Sequence, residues 1–169
     1  MEVFEALQKR RSIRKFTDEK VSKEHIDLIL HAAMSGPSAC NRQPWDFYVV
    51  TKEEKLKELK STSMFTKFDA PLAIVVCGNL SRSLPLKLSD YWIQDCSAAT
   101  ENILLAVTAL SLGAVWCGAH PQEKAVERLR KMLDIPKNQI PLNVIFIGHP
   151  IKEEPPRDQY NEKYIHRVE

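Results

Sequence analysis

No charge of one sign dominates this sequence: a formal net charge of +2 over 169 residues gives the molecule as a whole no reason to seek nucleic acid or a membrane surface. No apolar run reaches the length of a membrane span, and even the longest helical stretch is interrupted by Asp95, Glu101 and Asn102. Cysteine is sparse and unpaired. Cys40, Cys77, Cys96 and Cys117 lack the doubled spacing of a zinc site, and no secretory segment stands in front of them. Free thiols in a reducing, cytoplasmic setting are the expectation, with no metal. Cys117 and His120 are spaced like half a metal site, but no second pair accompanies them. Repeats, low-complexity tracts and linkers are also missing, which leaves one domain over residues 1–169.

What is present is strongly patterned. Ile26, Ile29, Leu30 and Ala33 recur at the spacing of a one-sided helix, with Ser22 as its cap, Glu24 in its first turn and Gly36-Pro37 at its end. Phe47 to Val50 reads as a strand. Between them, residues 37–46 carry two carboxamides, two small side chains and a hydroxyl, a set able to hydrogen-bond a flat heteroaromatic edge or a sugar-like chain. A simple connection whose Asn and Gln satisfy turn backbone would look the same.

Residues 2–9 predict a short helix with Val3, Phe4 and Leu7 on one side. It runs into residues 9–16, where five of eight side chains are basic. Ile13 and Phe16 anchor that segment to the core, and Ser12 adds a hydroxyl donor. Arg10, Arg11, Ser12 and Arg14 therefore suit one phosphate better than a long polyanion, although runs of this kind are usually solvated surface.

Farther along, Thr51 to Glu54 fits a capping box and opens a charged helix to about Lys60, with Leu56 and Leu59 facing inward. Residues 72–77 are continuously apolar, as in an interior strand, and 78–89 read as a loop. Residues 91–112 predict the longest helix, apolar nearly all round, so a second covering surface must come from more of the chain or from a partner. Gly113 is expected to stop it. A strand over 114–117 then leads to Gly118 and Ala119, whose near-absent side chains would expose backbone N–H groups to a ligand or simply make a tight turn. Pro121 suits the start of a helix with Val126, Leu129 and Leu133 facing inward. Residues 142–148 predict the last strand. The polar tail from 157 to 169, with spaced Tyr160, Tyr164 and Ile165, is expected to drape over a surface.

The Arg-Arg-Ser-x-Arg at 10–14, the Pro-Ser-x-x-Asn-x-Gln-Pro-Trp-x-Phe at 37–47, the long helix with Asp95 and Asn102 followed by Leu-Gly-Ala-Val-Trp-Cys-Gly at 112–118, and the late Gly-His-Pro and Pro-Arg together resemble the FMN-dependent nitroreductase family over essentially the whole chain. The resemblance implies an α+β fold, a three-layer sandwich with a mixed, largely antiparallel sheet flanked by helices. It also implies a homodimer with FMN at the subunit interface and the C-terminal tail exchanged between subunits. Carried over, Arg10, Arg11, Ser12 and Arg157 would hold the FMN phosphate and Arg14 would reach the pyrimidine edge. Pro37, Ser38, Ala39 and Asn41 would come from the other subunit, with Gln43 a cofactor-binding candidate in the same run, and the backbone at Gly118 and Ala119 would donate to the flavin. Some family members have an acidic residue at the position of Gly118 and a lysine at that of Pro155. Longer relatives carry extra helices between positions 61 and 89, which leaves Lys67 as a candidate for the pyrimidine.

The function implied is an FMN oxidoreductase that takes hydride from NADH or NADPH and passes it to a small acceptor such as a nitroaromatic or quinone, with ping-pong kinetics and no catalytic side chain required. Reductive dehalogenation, dehydrogenation or flavin reduction could use the same cradle. A nucleic-acid-binding or regulatory module is the reading from another class.

Overall fold

In a computed structural model, which describes residues 1–60 and 67–168, the chain runs through α1 (Val3–Lys9), α2 (Lys23–Met34), β1 (Trp45–Val50), α3 (Glu53–Lys60), β2 (Leu72–Asn79), α4 (Tyr91–Ala109), β3 (Gly113–Gly118), α5 (Glu123–Leu133) and β4 (Gln139–Gly148). The strands form one sheet in the order β1-β2-β4-β3, every pairing antiparallel. The only parallel contribution among the described residues is an isolated bridge from Ser12 to Ala114.

Alternation along the strands makes three layers. Leu72, Ile74 and Val76 of β2 join a core with Ile29, Ala33, Cys96, Ala99, Ile103 and Val107 from α2 and α4. Their neighbours Ala73, Val75 and Cys77 face a second core with Leu59, Val126 and Leu129 from α3 and α5. With both faces covered, β2 is buried along its whole length. Its Gly78 is obligatory, because a Cβ there would lie 2.0 Å from the Trp92 ring.

Some local expectations hold in detail: Ser22 caps α2 by accepting from the His25 amide at 3.2 Å. Others need correction. α4 ends at Ala109, and the chain turns through Ser111 at φ 59, so Gly113 is the first residue of β3 and not the helix stop. Pro121 lies ahead of the Gln122 cap rather than inside α5. β4 begins three residues early because Pro141 is accommodated at the irregularity between Val76 and Cys77, where the ladder does not need its missing N–H. On α1, Val3 and Phe4 are 68% and 80% exposed and only Ala6 is buried. The apolar side of that helix is thus not covered by the described residues of this chain. α4 receives most of its cover from the sheet and α2, with Ala98, Leu105 and Ala106 left half-buried. The tail from 155 to 168 is exposed throughout and meets the body where Arg11 donates to the Pro155 carbonyl. No helix among the described residues is long and apolar enough to cross a membrane.

Candidate functional site

The basic segment is stitched to the open edge of β3. The Ile13 amide donates to the Ala114 carbonyl at 2.8 Å, and Phe16 bridges Pro150 beyond the end of β4. This backbone attachment fixes where the flanking guanidinium groups emerge. Arg10 pairs with Glu101 of α4 at 3.6 Å, Arg11 donates to the Pro155 carbonyl, and Arg14 donates to the Ser12 carbonyl at 3.3 Å. Ser12 and Arg14 are exposed, Arg10 and Arg11 half-buried. The Arg14 charge also reaches Cys117 on β3, where it opposes the effect of burial that pushes that thiol up to about 11.

Gly118 lies farther along the same edge. Ala119 donates to the Leu142 carbonyl at 2.8 Å, and the His120 amide shares that acceptor at 3.1 Å. Hydrogen-bonded pairs alternate along an antiparallel ladder, so the pairing of Ala119 with Leu142 turns Gly118, opposite Asn143, toward the edge. Ala114 faces the same way, and its carbonyl is the one that Ile13 uses. A Cβ on Gly118 would meet nothing within 4 Å, and the residue is exposed. Of the two N–H donors expected at this turn, that of Gly118 is directed outward and that of Ala119 is spent inside the fold.

The amide loop sits elsewhere. It leads into β1, the opposite edge strand, roughly 14 Å across three strand spacings from β3. There the Ala39 amide donates to Asp95 Oδ1 at 2.9 Å, the Gln43 amide donates to Ser38 Oγ at 2.9 Å, and Gln43 Nε2 donates to Asn41 Oδ1 at 3.2 Å. Pro37, Asn41 and Gln43 are exposed, while Ser38 and Ala39 are half-buried. One chain therefore brings together the basic segment and Gly118 but leaves Pro37 to Gln43 on the far edge. Arg157 is exposed on the tail. Lys67 is exposed beside Phe68, whose ring stands edge-on to Phe146 on the α3–α5 side.

A cavity of about 440 Å³ borders the basic segment, between Arg11, Ile13, Leu112, Pro150 and Pro155. A larger one of about 550 Å³, by Val21, Leu56 and Leu72, contains none of the candidate residues. No group of three or more metal-ligating side chains occurs among the described residues.

The sequence reading missed Asp95 as an anchor for the Ala39 amide, and it missed Arg82. The guanidinium of Arg82 reaches the Gln43 and Trp45 carbonyls and Asp46. Asp95 could have been suspected as an acidic residue on an otherwise apolar helix face. Arg82 carries no comparable signal, because its partners lie 36 to 39 positions away.

Comparison with known proteins supplies the wider context. The family model described as the nitroreductase family matches residues 7–65 and 59–149. A protein of Methanothermobacter thermautotrophicus, provisionally named NADH dehydrogenase/NAD(P)H nitroreductase, is 45% identical over 98% of this chain and 86% of its own. A solved structure from Parabacteroides distasonis with the same provisional name superposes with a TM-score of 0.92 at 39% identity, covering 98% of this chain and 96% of that one. A nitroreductase-like protein of Desulfovibrio desulfuricans, solved in complex with FMN, gives a TM-score of 0.83 at 28% identity, covering 100% and 98%.

Proposed function

We propose that this chain, which belongs to the nitroreductase family, is an FMN-dependent oxidoreductase that passes reducing equivalents from NADH or NADPH to a small acceptor such as a nitroaromatic or quinone. The observation that carries this reading is the shared edge. Through the Ile13–Ala114 bond, the basic segment that carries Arg10, Arg11 and Arg14 is attached to the same edge of β3 toward which the Gly118 N–H is directed.

The residues present fit the cofactor. Arg10, Arg11 and Ser12 supply the charge and donors for a terminal phosphate, with Arg157 brought in by the tail. Arg14 supplies positive charge where a reduced flavin would carry negative charge. The empty space at Gly118 allows a flat ring to approach the backbone and its N–H. Bound FMN supplies the hydride chemistry at its N5 for donor and acceptor in turn, which gives ping-pong kinetics. The chain itself contributes binding, orientation and charge, and no acid or base from its own side chains is required.

Asn41, Gln43, Ser38, Ala39 and Pro37 complete the site from a second copy, since their own chain holds them at the other edge of the sheet. The bare side of α1 formed by Val3 and Phe4 and the exposed tail support such an assembly. The test is spectroscopic. Purified protein titrated with FMN should gain bound-flavin absorbance, bleach with NADH or NADPH, and recover its colour when a nitroaromatic or quinone is added. Protein that remains colourless in excess FMN overturns the reading.

A further inference from the structure

The loop carrying Asn41 and Gln43 has an unusual backbone. Cys40, Asn41 and Gln43 all lie in the left-handed region, at φ 49, 52 and 49. Residues with side chains disfavour that conformation, so it persists only where the surroundings over-determine it. Several ties hold the loop: the Ala39 amide to Asp95 on α4, the Gln43 amide to Ser38 Oγ, the Gln43 side chain to Asn41 Oδ1, the Asn41 and Arg42 amides to the Ser38 and Ala39 carbonyls, and the Asn79 amide to the Pro44 carbonyl at 2.6 Å. None of these engages the Gln43 or Trp45 carbonyl or joins the loop to the turn that follows β2.

Two arginines do so, and they act reciprocally. Arg82, in the turn after β2, donates from Nε to the Gln43 carbonyl at 3.2 Å and from Nη2 to the Trp45 carbonyl and Asp46 Oδ1, each at 2.7 Å. Arg42, from within the loop, donates in the other direction, from Nε to the Arg82 carbonyl at 3.0 Å and from Nη2 to the Ser83 carbonyl at 3.3 Å. Asn79 secures the base of the turn by donating to Asp46 Oδ2 at 2.7 Å while its own Oδ1 accepts from the Ser81 amide. A planar guanidinium suits such a role because its fork engages several fixed acceptors at once.

We propose that Arg82 and Arg42 are positioning residues for the cofactor-facing loop, presetting the carboxamides of Asn41 and Gln43 in the geometry that meets the flavin. The inference rests on the proposed function, in that the loop must lie at the cofactor of a partner subunit. The Arg82 side chain is 44% exposed, so its loss should cost little global stability. What it removes is the preorganisation that otherwise lowers the entropic cost of binding.

The experiment uses full-length protein stripped of flavin and titrated with FMN by fluorescence quenching, with thermal unfolding of the flavin-free form measured alongside. Arg82→Ala should weaken FMN binding about tenfold with little change in the flavin-free melting temperature, and Arg82→Lys should recover part of the loss because an ammonium reaches fewer of the acceptors. Arg42→Ala should weaken binding to a smaller degree. It also carries the test if Arg82→Ala fails to fold, since it leaves the Asp46–Arg82 pair intact. Asn41→Ala separates the two levels of inference. If it weakens binding while the arginine variants bind as wild type, the loop holds its own shape and the positioning role is wrong. If Asn41→Ala and the arginine variants all bind as wild type, the loop is not at the flavin, and the underlying reading fails with this one. A loss of affinity matched by an equal loss of flavin-free stability also overturns the positioning role.

Discussion

The side chain of Ile13 occupies the space that a methyl group on Gly113 would need: the added carbon would come within 2.8 Å of the Ile13 Cβ. The contact locks the basic segment against β3, because Ile13 sits between Arg11 and Arg14 and its amide is bonded to the neighbouring Ala114. Gly113→Ala should therefore destabilise the protein by about 1–3 kcal/mol through overpacking. It should also weaken FMN binding, because Ile13 can yield only by moving the guanidinium groups beside it. Urea unfolding and FMN titration measure the two effects. Unchanged values for both would show that the segment adapts freely.

The parts of the fold readable from sequence were those in which one periodicity determines the outcome. The stripe of Ile26, Ile29, Leu30 and Ala33 with its Ser22 cap, and the apolar run of β2, needed no knowledge of distant neighbours. Features settled by pairing across the sheet were not readable. The Ala119 amide is consumed by Leu142, 23 positions on, which a glance at a Gly-Ala turn cannot foretell. Gly113 resembled a helix stop because glycine is common there, whereas its requirement comes from Ile13, a hundred positions earlier. The candidate site was legible as three chemical clusters. That one of them lies on the far edge follows only from the strand order.

Burial sets the thiol chemistry and gives a pH dependence with a definite sign. Cys96 is pushed up to about 12 and Cys117 to about 11, chiefly by desolvation, and Cys77 is raised further still. These groups are harder to ionise when folded than when unfolded, so their contribution to stability is complete below about pH 9 and is lost as the pH rises through the folded values. Stability measured by denaturant should accordingly fall between pH 9 and pH 11. At neutral pH a thiol reagent should label exposed Cys40 rapidly and the other three only on unfolding. Rapid labelling of more than one thiol in the native protein would contradict the buried placement.

Arg10 offers a way to separate binding from folding. Its ion pair with Glu101, at 3.6 Å and partly exposed, is worth less than about 1 kcal/mol to stability. Arg10→Ala should leave the melting temperature nearly unchanged and weaken FMN binding about tenfold or more, since a charge-assisted contact to phosphate is lost. Glu101→Gln removes the same pair but keeps the guanidinium, and should retain or improve affinity. Equal weakening by both substitutions would mean that the pair itself, and not the cationic charge, matters to the cofactor.

The far-edge position of the amide loop leads to a test of how the site is assembled. If each flavin is gripped by the basic segment of one copy and the loop of another, a chain with Arg10 and Arg11 both changed to alanine and a chain with Asn41→Ala should each bind FMN poorly when alone. Mixed and co-refolded, the two would form heterodimers in which one site collects all the substitutions and the other collects none. Random pairing makes half the dimers mixed, so about a quarter of the wild-type binding capacity should return at near wild-type affinity. A site built within one chain would leave every site defective, and mixing would restore nothing. Recovery of tight binding thus requires that residues from opposite edges of two sheets meet at one cofactor, whatever the acceptor turns out to be.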